Sequence, residues 1–552
     1  MPDSVDEQTA LRNALVRSTR DTEDAHRYRQ FVGATFTSIS LGDYEFSPND
    51  GHQLVFLGSN VKVGVNLRNS VFDEGIKFWF TNIEGYAHFR DATIEGNVEF
   101  VNTTVNGEVS FLNASVEDEV RFEHVTIHGV IHADGATLNG GARFIDSTTD
   151  ENIYLRDGIV DGEVDFTDAT ISGETDLRGI TITGEATFKN TVFEQRALFS
   201  SSESKITRFG STATFTEATF TKGIDVSGEV IKDDVFQTTF SEPPDFVNAD
   251  LERSDFSQAS LPGANFKGAD LTESNFTEAI LQNTILERAK LSRAELSSTD
   301  LRGARLAGAS LGDTNINQQT KFLGSPEKSS PSSNWAALRE YLNQPSCVYD
   351  PTYQERNNEE QLLGSEEKPG NSLPDASRDR AKSVYQALEK LATVNARPQL
   401  QAAAFVRRQD VQRNQYYHRF TNSIDETPLF NQWSNFGRYL RATVARWTLL
   451  YGESPWRILA WSIGIVLFFT VLYPFGLMET ADGTVLTWDS IDSSPSQLIQ
   501  SLYFSTLTFT ALGFGDFRPT NAWGQAATII ETASGAILLA LLVFVLGRRA
   551  AR

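Results

Sequence analysis

An apolar residue recurs at every fifth position over residues 246–316, and this repeat limits the fold of the chain more than any other feature. The in-phase positions are Phe246, Leu251, Phe256, Leu261, Phe266, Leu271, Phe276, Leu281, Leu286, Leu291, Leu296, Leu301, Leu306, Leu311 and Ile316. A small residue stands two positions before many of them, at Ala249, Ala259, Ala264, Ala269, Ala294, Ala304 and Ala309. A period of five matches neither the 3.6-residue repeat of an α-helix nor the two-residue alternation of a strand, so the segment is predicted to be neither.

Upstream, a second repeat has a period of 11 residues. Its in-phase positions are Phe56, Leu67, Phe78, Phe89, Phe100, Phe111, Phe122, Ala133, Phe144, Leu155, Phe166, Leu177, Phe188 and Phe199. A second branched residue often follows five positions later, and a glycine two positions after that, as at Ile94 with Gly96 and Ile127 with Gly129. Eleven residues make two five-residue sides and one corner residue, so two such units are predicted to form one coil. The two repeats then continue a single solenoid.

The unit Ala-Asp/Asn-Leu/Phe-x-x, as in residues 249–251 and 264–266, resembles the pentapeptide-repeat family. The resemblance implies a right-handed quadrilateral β-helix, with apolar rows inside and acidic residues outside. It also implies that an unidentified cytosolic protein or ligand could bind the β-helix, because some acidic members of the family mimic DNA and bind DNA-handling enzymes. His124, His128 and His132 have metal-site spacing for an α-helix, but on a β-helix they need not share a face, so no metal site is expected.

The chain is strongly acidic, with 72 acidic and 48 basic residues and a net charge of −24. This balance is similar to that of proteins from salt-accumulating microbes such as haloarchaea; the alternative is an acidic protein that repels nucleic acid for its own reasons. Neither interpretation predicts a nucleic-acid partner. The single cysteine, Cys347, permits no intramolecular disulfide, and residues 1–20 contain no apolar signal-peptide core. The N-terminal part is therefore expected in the cytosol.

The segment between the repeats and the C-terminal apolar region is predicted to contain a linker and helices. Residues 324–375 are rich in Ser, Pro, Asn and Glu. Helical spacing follows, and Pro398 opens a second helix, which indicates a helical hairpin. The next helix has an apolar face of Phe436, Leu440, Val444, Trp447 and Tyr451, with Arg438, Arg441 and Arg446 elsewhere. Such a helix just before a membrane span is predicted to lie at the membrane interface; the alternative is a soluble helix packed on its neighbour.

Two segments are long and apolar enough to cross a membrane, residues 458–477 and residues 523–546. Arg457 precedes the first segment, and three arginines follow the second: Arg548, Arg549 and Arg552. The loop between them, residues 478–521, holds five acidic residues and one arginine. The positive-inside rule therefore predicts a multi-pass protein of the cell membrane with both termini in the cytoplasm, in contact with lipid. The acidic loop would attract cations.

Within that loop the sequence Ala511-Leu512-Gly513-Phe514-Gly515-Asp516 resembles the selectivity filter of the potassium-channel superfamily. The resemblance implies a two-transmembrane pore domain of the ion channel 2 family, with a pore helix that begins near residues 494–496. Backbone carbonyls would replace the hydration shell of a permeant K⁺ ion, and no other cofactor or metal is implied. Because each chain has one pore loop, four chains must surround the axis as a homotetramer. Gly535 falls where relatives keep a gating-hinge glycine.

The sequence departs from the family in ways that concern ion selectivity. Ala511 replaces the threonine whose hydroxyl forms the innermost ion site, and Thr510 is expected to point behind the filter. Glu531 is an ionisable group within a span, which is a functional hypothesis by default. It could face the cavity as a four-fold acidic ring, bond to the rear of the filter, or be a protonated, hydrogen-bonded structural residue.

The predicted function is a cation channel that conducts K⁺, with a cytosolic pentapeptide-repeat domain for regulation or assembly. The alternative is a membrane-tethered acidic β-helix that binds a protein or mimics DNA, with a non-selective or non-conducting pore. No nucleophile-base set, phosphate loop or Cys/His cluster indicates an enzyme. The predicted segments are a polar, helical cap in 1–45, the β-helix in 46–320, a linker in 321–376, the hairpin in 377–422, the interfacial helix in 423–456 and the pore domain in 457–552.

Overall fold

The computed structural model describes residues 4–18, 29–47, 52–202, 205–231, 234–236, 238–322, 374–422, 429–480, 483–488, 496–512 and 517–550. The chain divides into two compact units. The first comprises Met1–Glu367 and Thr393–Arg397, and the second comprises Lys368–Ala392 and Pro398–Arg552.

The first unit contains a β-solenoid with four parallel sheets of nine strands each. The first sheet is β1 Gln30–Val32, β5 Leu54–Leu57, β9 Ile76–Trp79, β13 Val98–Val101, β17 Val120–Glu123, β21 Ala142–Ile145, β25 Val164–Asp165, β29 Ala186–Thr187 and β33 Ala213–Thr214. The second is β2 Thr35–Phe36, β6 Asn60–Val61, β10 Asn82–Ile83, β14 Thr104–Val105, β18 Thr126–Ile127, β22 Thr148–Thr149, β26 Thr170–Ile171, β30 Val192–Phe193 and β34 Thr219–Phe220. The third is β3 Ile39–Ser40, β7 Gly64–Asn66, β11 Tyr86–His88, β15 Val109–Ser110, β19 Ile131–His132, β23 Ile153–Tyr154, β27 Thr175–Asp176, β31 Ala197–Leu198 and β35 Ile224–Asp225. The fourth is β4 Glu45–Phe46, β8 Val71–Phe72, β12 Thr93–Ile94, β16 Ser115–Val116, β20 Thr137–Leu138, β24 Ile159–Val160, β28 Thr181–Ile182, β32 Arg208–Phe209 and β38 Thr239–Phe240. A short antiparallel hairpin, β36 Glu229–Ile231 and β37 Asp234–Phe236, precedes the last of these strands.

The strand register confirms that two 11-residue units form one coil. Phe78 pairs with Phe100 and Phe100 pairs with Phe122, each two units further along the chain. Their rings stack in parallel with centroids 4.9 and 5.0 Å apart, within a fully buried column. Phe215, Phe246 and Phe266 continue the stack at 4.7 and 4.8 Å across the change from one repeat to the other. The two repeats therefore form one core.

In the five-residue repeat, four sides make one coil. Isolated parallel bridges connect Asp245 to Asn265, Asn265 to Ile285 and Ile285 to Arg305, each four repeat units apart. The quadrilateral β-helix predicted from the pentapeptide resemblance is thus confirmed as a solenoid with four parallel sheets.

The residues at the corners of the coils follow a second sequence pattern, which the apolar positions do not reveal. Asn102, Asn113 and His124 have φ values of 48°, 54° and 52°, and a left-handed residue recurs at this place in most 11-residue units. Asn and Asp adopt this conformation more readily than most residues, which explains their frequency two positions after the core phenylalanines. Gly129 has another role, since a Cβ there would lie 2.3 Å from the carbonyl carbon of Gly107 in the neighbouring coil.

The first coil begins at Gln30, earlier than the predicted start at residue 46. Phe36 pairs with Val61 and Phe46 with Phe72, so this coil is longer than two 11-residue units and its repeat is hidden in the sequence. Before it lies the helix α1, Ser4–Ser18, with Leu11 and Leu15 buried.

The second unit is helical. Its helices are α2 Pro374–Val394, α3 Pro398–Asn422, α4 Leu429–Leu449, α5 Pro455–Leu472, α6 Ser496–Phe509 and α7 Ala522–Ala550, with a 3₁₀ turn at Leu450–Gly452. Three strands, β39 Phe475–Thr480, β40 Val485–Thr487 and β41 Phe517–Pro519, form an antiparallel sheet. The helix of the first predicted span ends at Leu472 rather than 477, because Pro474 cannot donate a hydrogen bond and restricts the residue before it.

The helix α4 both packs on a neighbour and exposes apolar side chains. It contacts α3 through Phe436, whose ring lies 5.1 Å from that of Phe420. Leu440, Val444 and Trp447 are more than half exposed. The predicted apolar face is therefore divided: Phe436 packs on α3, and Tyr451 leaves the face because the 3₁₀ turn separates it from α4.

The stacked phenylalanines should dominate the stability of the solenoid. We expect Phe122→Ala to reduce the free energy of unfolding by about 3–5 kcal/mol, because it opens a cavity in the buried column. Phe80→Ala is the matched control, since Phe80 is 60% exposed on the same solenoid. Denaturant-dependent hydrogen exchange of peptides from β13 to β25 measures the change. Equal losses in both variants would contradict the role of the column.

Candidate ion-conduction site

The helix α6 is held between the two long apolar helices by hydroxyl groups. The Ser501 hydroxyl donates to the carbonyl of Thr470, at 2.7 Å, and Ser501 is fully buried. The Ser505 hydroxyl lies 2.9 Å from the carbonyl of Val466 on the same helix, α5. Between apolar helices such hydroxyl-carbonyl bonds add a directional attachment to the packing. They fix the position of α6 along α5.

The C-terminal end of α6 is closed by Ala511 and Leu512. The Ala511 amide donates to the carbonyl of Thr508, at 3.2 Å, and the Leu512 amide donates to that of Leu507, at 3.0 Å. Ala511 has a φ of 56°. This pair of bonds around a left-handed residue is the Schellman cap, in which glycine is usual. Ala511 thus ends the helix and turns the chain at the point where the predicted filter begins.

The remaining filter residues, Gly513, Phe514, Gly515 and Asp516, lie outside the described residues. Leu512 is 56% exposed at the end of α6, and the described chain resumes at β41. The Thr510 hydroxyl donates back to the carbonyl of Thr506 in its own helix, at 2.8 Å. This bond uses the hydroxyl hydrogen within α6, and the lone pairs of the Thr510 oxygen can still accept.

Glu531 belongs to α7 and is buried against α6 and the end of α5. Its carboxyl group contacts the Tyr473 hydroxyl, at 2.5 Å, and the Ser505 hydroxyl, and the residue is fully buried. Ser505 has a single hydroxyl hydrogen but contacts both Glu531 and the carbonyl of Val466. Both contacts are hydrogen bonds only when Glu531 carries a proton and donates one of them.

The burial of Glu531 bears on the three roles that the sequence allows for it. A cavity-facing ring would require a carboxyl group that is exposed in a single chain, whereas this one is enclosed by its own chain. It contacts Ser505, which precedes the buried residues Thr508 and Phe509 at the end of α6. The structure therefore places Glu531 behind the end of α6, and a hydrogen-bonded structural role accounts for its contacts.

Gly535 is the point of closest approach between α7 and α6. A Cβ at this position would lie 1.9 Å from the carbonyl oxygen of Phe509, which no side chain can tolerate. Phe509 also belongs to a buried apolar cluster with Ile458, Leu538 and Val545. Gly535 therefore serves close helix packing next to the Ala511 cap, one turn after Glu531.

His124, His128 and His132 are distributed over successive sides of one coil. His124 occupies a corner, His128 follows β18 and contacts Asp150 at 2.5 Å, and His132 lies in β19 and stacks on Tyr154. Among the described residues, no group of three or more His, Cys, Asp or Glu is placed to hold a metal ion.

Comparisons with known families agree with both parts of the chain. Residues 249–288 and 279–318 match the model for pentapeptide repeats of 8 copies, and residues 78–126 match the model for repeats of 9 copies. Residues 461–552 match the ion channel model. Pentapeptide repeats and an ion channel domain are therefore both present. The two matches support an ion channel with a repeat domain, and families of both kinds are typically not enzymes.

Solved pentapeptide-repeat proteins share little identity with this chain. HetL, from the cyanobacterium Nostoc sp. strain PCC 7120, is 17% identical over 53% of this chain and 91% of its own, with a TM-score of 0.15. QnrB1, a plasmid-mediated fluoroquinolone resistance protein, is 12% identical over 48% of this chain and 93% of its own, with a TM-score of 0.14. No curated protein matches the chain. The strand register of this chain, and not these likenesses, defines its fold.

The ion channel match and the apolar helices together make this a membrane protein. Pro455–Leu472 and Ala522–Arg548 are long and apolar enough to span a bilayer. Sequence reasoning identified Ala511, Glu531 and Gly535 but missed Tyr473 and the two serines. The spacing of Ser501 and Ser505, four residues apart and so on one face of the helix, is the signal that could have indicated them.

The Gly535 contact predicts a strong effect of a single methyl group. Gly535→Ala should separate α6 from α7 and greatly reduce ion flux, because the Cβ would overlap the Phe509 carbonyl. Gly464→Ala is the matched control, since a Cβ at Gly464 meets nothing within 4 Å in this chain. Flux from liposomes and thermal unfolding of both variants test the difference. Normal flux through Gly535→Ala would contradict the contact.

The contact between Ser505 and Glu531 predicts an effect on the stability of the membrane unit. Ser505→Ala leaves a buried oxygen of Glu531 without its partner, so we expect a loss of about 1–3 kcal/mol in the stability of the membrane unit. Ser534→Ala is the control, because that hydroxyl bonds only the carbonyl of Ile530 in its own helix. Thermal unfolding in detergent compares the two variants. Similar melting temperatures would show that the Ser505–Glu531 contact contributes little.

Proposed function

We propose that four copies of this chain surround a pore that conducts K⁺, with the pentapeptide-repeat domain as a cytosolic regulatory or assembly domain. The observation that carries the proposal is the position of α6, fixed between two spans and capped at Ala511 directly before the sequence Gly-Phe-Gly-Asp. This is the arrangement that a re-entrant filter requires, because irregular backbone at membrane depth is stable only where protein or a water-filled cavity surrounds it.

Residues 511–516 would bind the permeant ion. Glycine permits the dihedral angles that turn successive carbonyl groups toward one axis, and a ring of such carbonyls can replace the hydration shell of a cation. One chain supplies only one such segment, so the ring requires rotational symmetry among several copies. The α6 C-terminus, which carries the negative end of the helix dipole, would further favour a cation at the inner end of the filter.

We assign both termini to the cytoplasmic side of the cell membrane. The arginines at the ends of the two spans support this orientation, since positive residues concentrate on the cytoplasmic side. Three tryptophans of α4 and α5 are exposed: Trp433, Trp447 and Trp461 are 69%, 61% and 47% exposed. Tryptophan is enriched where apolar lipid meets water, so the exposed side of α4 would rest on the membrane surface. Lipid is thus one partner of the channel.

The selectivity of the proposed pore for K⁺ would depend on the residues at and around Ala511. Ala511 has no hydroxyl group for the innermost ion site, and the Thr510 hydroxyl donates back to the preceding turn of its own helix, α6. Backbone carbonyls of the following glycines would then carry the discrimination between K⁺ and Na⁺.

Ion flux from liposomes that contain the purified protein tests this function. With K⁺ or Na⁺ as the only permeant cation, we expect K⁺ flux to be roughly tenfold or more faster, which corresponds to about 1.4 kcal/mol between the two barriers. Ala511→Ser should raise this ratio, because it restores a hydroxyl group without a branched Cβ. Thr510→Ala should leave the ratio unchanged. Equal flux of both ions would contradict K⁺ selectivity, and no flux under any condition would favour the tethered binding module.

A further inference from the structure

The turn between α4 and α5 has an unfavourable backbone conformation. Leu450, Tyr451 and Gly452 have φ values of 48°, 56° and 87°, so two residues with a side chain adopt the left-handed region in succession. Such residues persist only where surrounding contacts hold them. The chain must therefore contain contacts that fix this turn.

Asp410 on α3 supplies two of these contacts. Its carboxylate accepts a hydrogen bond from Nε of Arg446 on α4, at 2.7 Å, and another from the Tyr451 hydroxyl, at 2.9 Å. Asp410 is 1% exposed, so both bonds lie away from water. Burial, together with the nearby charge of Asp410, raises the pKa of Tyr451, and the hydroxyl therefore keeps the proton that it donates.

The same turn contacts the C-terminal end of α7. Glu453 forms an ion pair with Arg548, at 3.4 Å, and a Cβ on Gly452 would lie 3.4 Å from the Arg548 guanidinium. That guanidinium also stands over the ring of Phe405 on α3, with its central carbon 4.8 Å from the ring centroid. These contacts join α3, the strained turn and the end of α7. We name the six residues that form them the latch: Phe405, Asp410, Arg446, Tyr451, Glu453 and Arg548.

A cavity of about 280 Å³ lies beside the latch. Phe405, Leu449 and Tyr451 line it on one side, and Leu541 and Val545 of α7 line it on the other. Closely packed interiors resist movement, whereas a cavity leaves the facing side chains room to shift. Beside the cavity the end of α7 is positioned by the contacts of the latch, in addition to the buried apolar cluster that contains Val545 and Ile458.

We propose that Asp410 is a positioning residue of the channel gate, acting through the strained turn on the C-terminal end of α7. Its hydrogen bonds to Arg446 and Tyr451 hold the turn, and the turn, with Phe405, holds Arg548. Loss of the Asp410 charge releases the turn and changes the fraction of time for which the pore is open. The filter residues are untouched, so single-channel conductance and the K⁺/Na⁺ ratio stay the same. This inference rests on the proposed function.

Single-channel recording of the full-length protein in planar bilayers tests the latch. We expect Asp410→Asn and Tyr451→Phe each to change the open probability roughly five- to 150-fold, the usual range of coupling between sites, and both in the same direction. Asp410→Glu, which keeps the carboxylate, should restore part of the wild-type behaviour. Asp379→Asn is the matched control, because this carboxylate in the same unit accepts a bond from Gln415 on α3 and touches no residue of the latch.

A double-mutant cycle distinguishes the latch from separate local effects. Asp410→Asn and Arg548→Gln should be non-additive in open probability, because both release the same end of α7. Additive effects, or an open probability equal to that of the wild type in Asp410→Asn and Tyr451→Phe, would overturn the proposal. Tyr451→Phe removes one hydroxyl group only, so it remains informative if Asp410→Asn does not fold.

Hydrogen exchange separates failure of the latch from failure of the proposed function. In lipid nanodiscs, Asp410→Asn should increase the exchange of peptides from residues 446–454 and 541–548, and Asp379→Asn should not. This result would support the latch even if the wild-type protein conducts no ions. Unchanged exchange in Asp410→Asn would refute the latch whether or not the pore conducts.

Discussion

In-register contact between neighbouring coils holds the larger part of this chain together. A single coil has strands of only two to four residues and cannot bury its own side chains, so each coil is stable only against the next one. The stacked rings of Phe78, Phe100 and Phe122 show how this works: identical side chains meet identical surroundings at every step. The stacking constrains the strands and not the length of the connections between them. Phe215 stacks on Phe188 and on Phe246 at 4.9 and 4.7 Å, although both pairs lie further apart in the sequence than two 11-residue units. The hairpin of β36 and β37 takes up some of the extra residues.

The membrane unit depends on a different kind of contact. Its two spans are apolar and would gain little from contact with each other rather than with lipid, so a few specific contacts must determine their arrangement. Ser501 and Ser505 bond carbonyls of α5, Glu531 joins three elements, and Gly535 lets α7 reach Phe509. All of these contacts lie around α6. The elements that surround the proposed filter are therefore also those that hold the unit together.

The sequence predicts the features that repeat and misses those that depend on contacts between distant residues. Two regular periods were sufficient for most of the solenoid, because within each repeat the neighbours in space lie at a constant separation along the chain. The pore segment could be identified from one motif between two spans. Tyr473 and Glu531, in contrast, are brought together only by the packing of α5 on α7, and Asp410 meets Arg446 only because α3 and α4 lie side by side. The role of Gly535 was predicted as a hinge, and close packing against Phe509 became evident only from the distance between the two helices.

The helix α7 is the element that touches both the filter region and the latch. Gly535 contacts the end of α6, and Arg548 contacts the turn and Phe405. The twelve residues between these two positions span roughly 20 Å of helix and include no proline, so this segment would move as one body. A bend at Gly535 is the alternative to such a rigid movement, but the backbone there is in close contact with Phe509. Bending would therefore disturb the capped end of α6. In either case the latch would act through α7 on the equilibrium between the closed and the open pore, and the filter residues themselves would keep their arrangement.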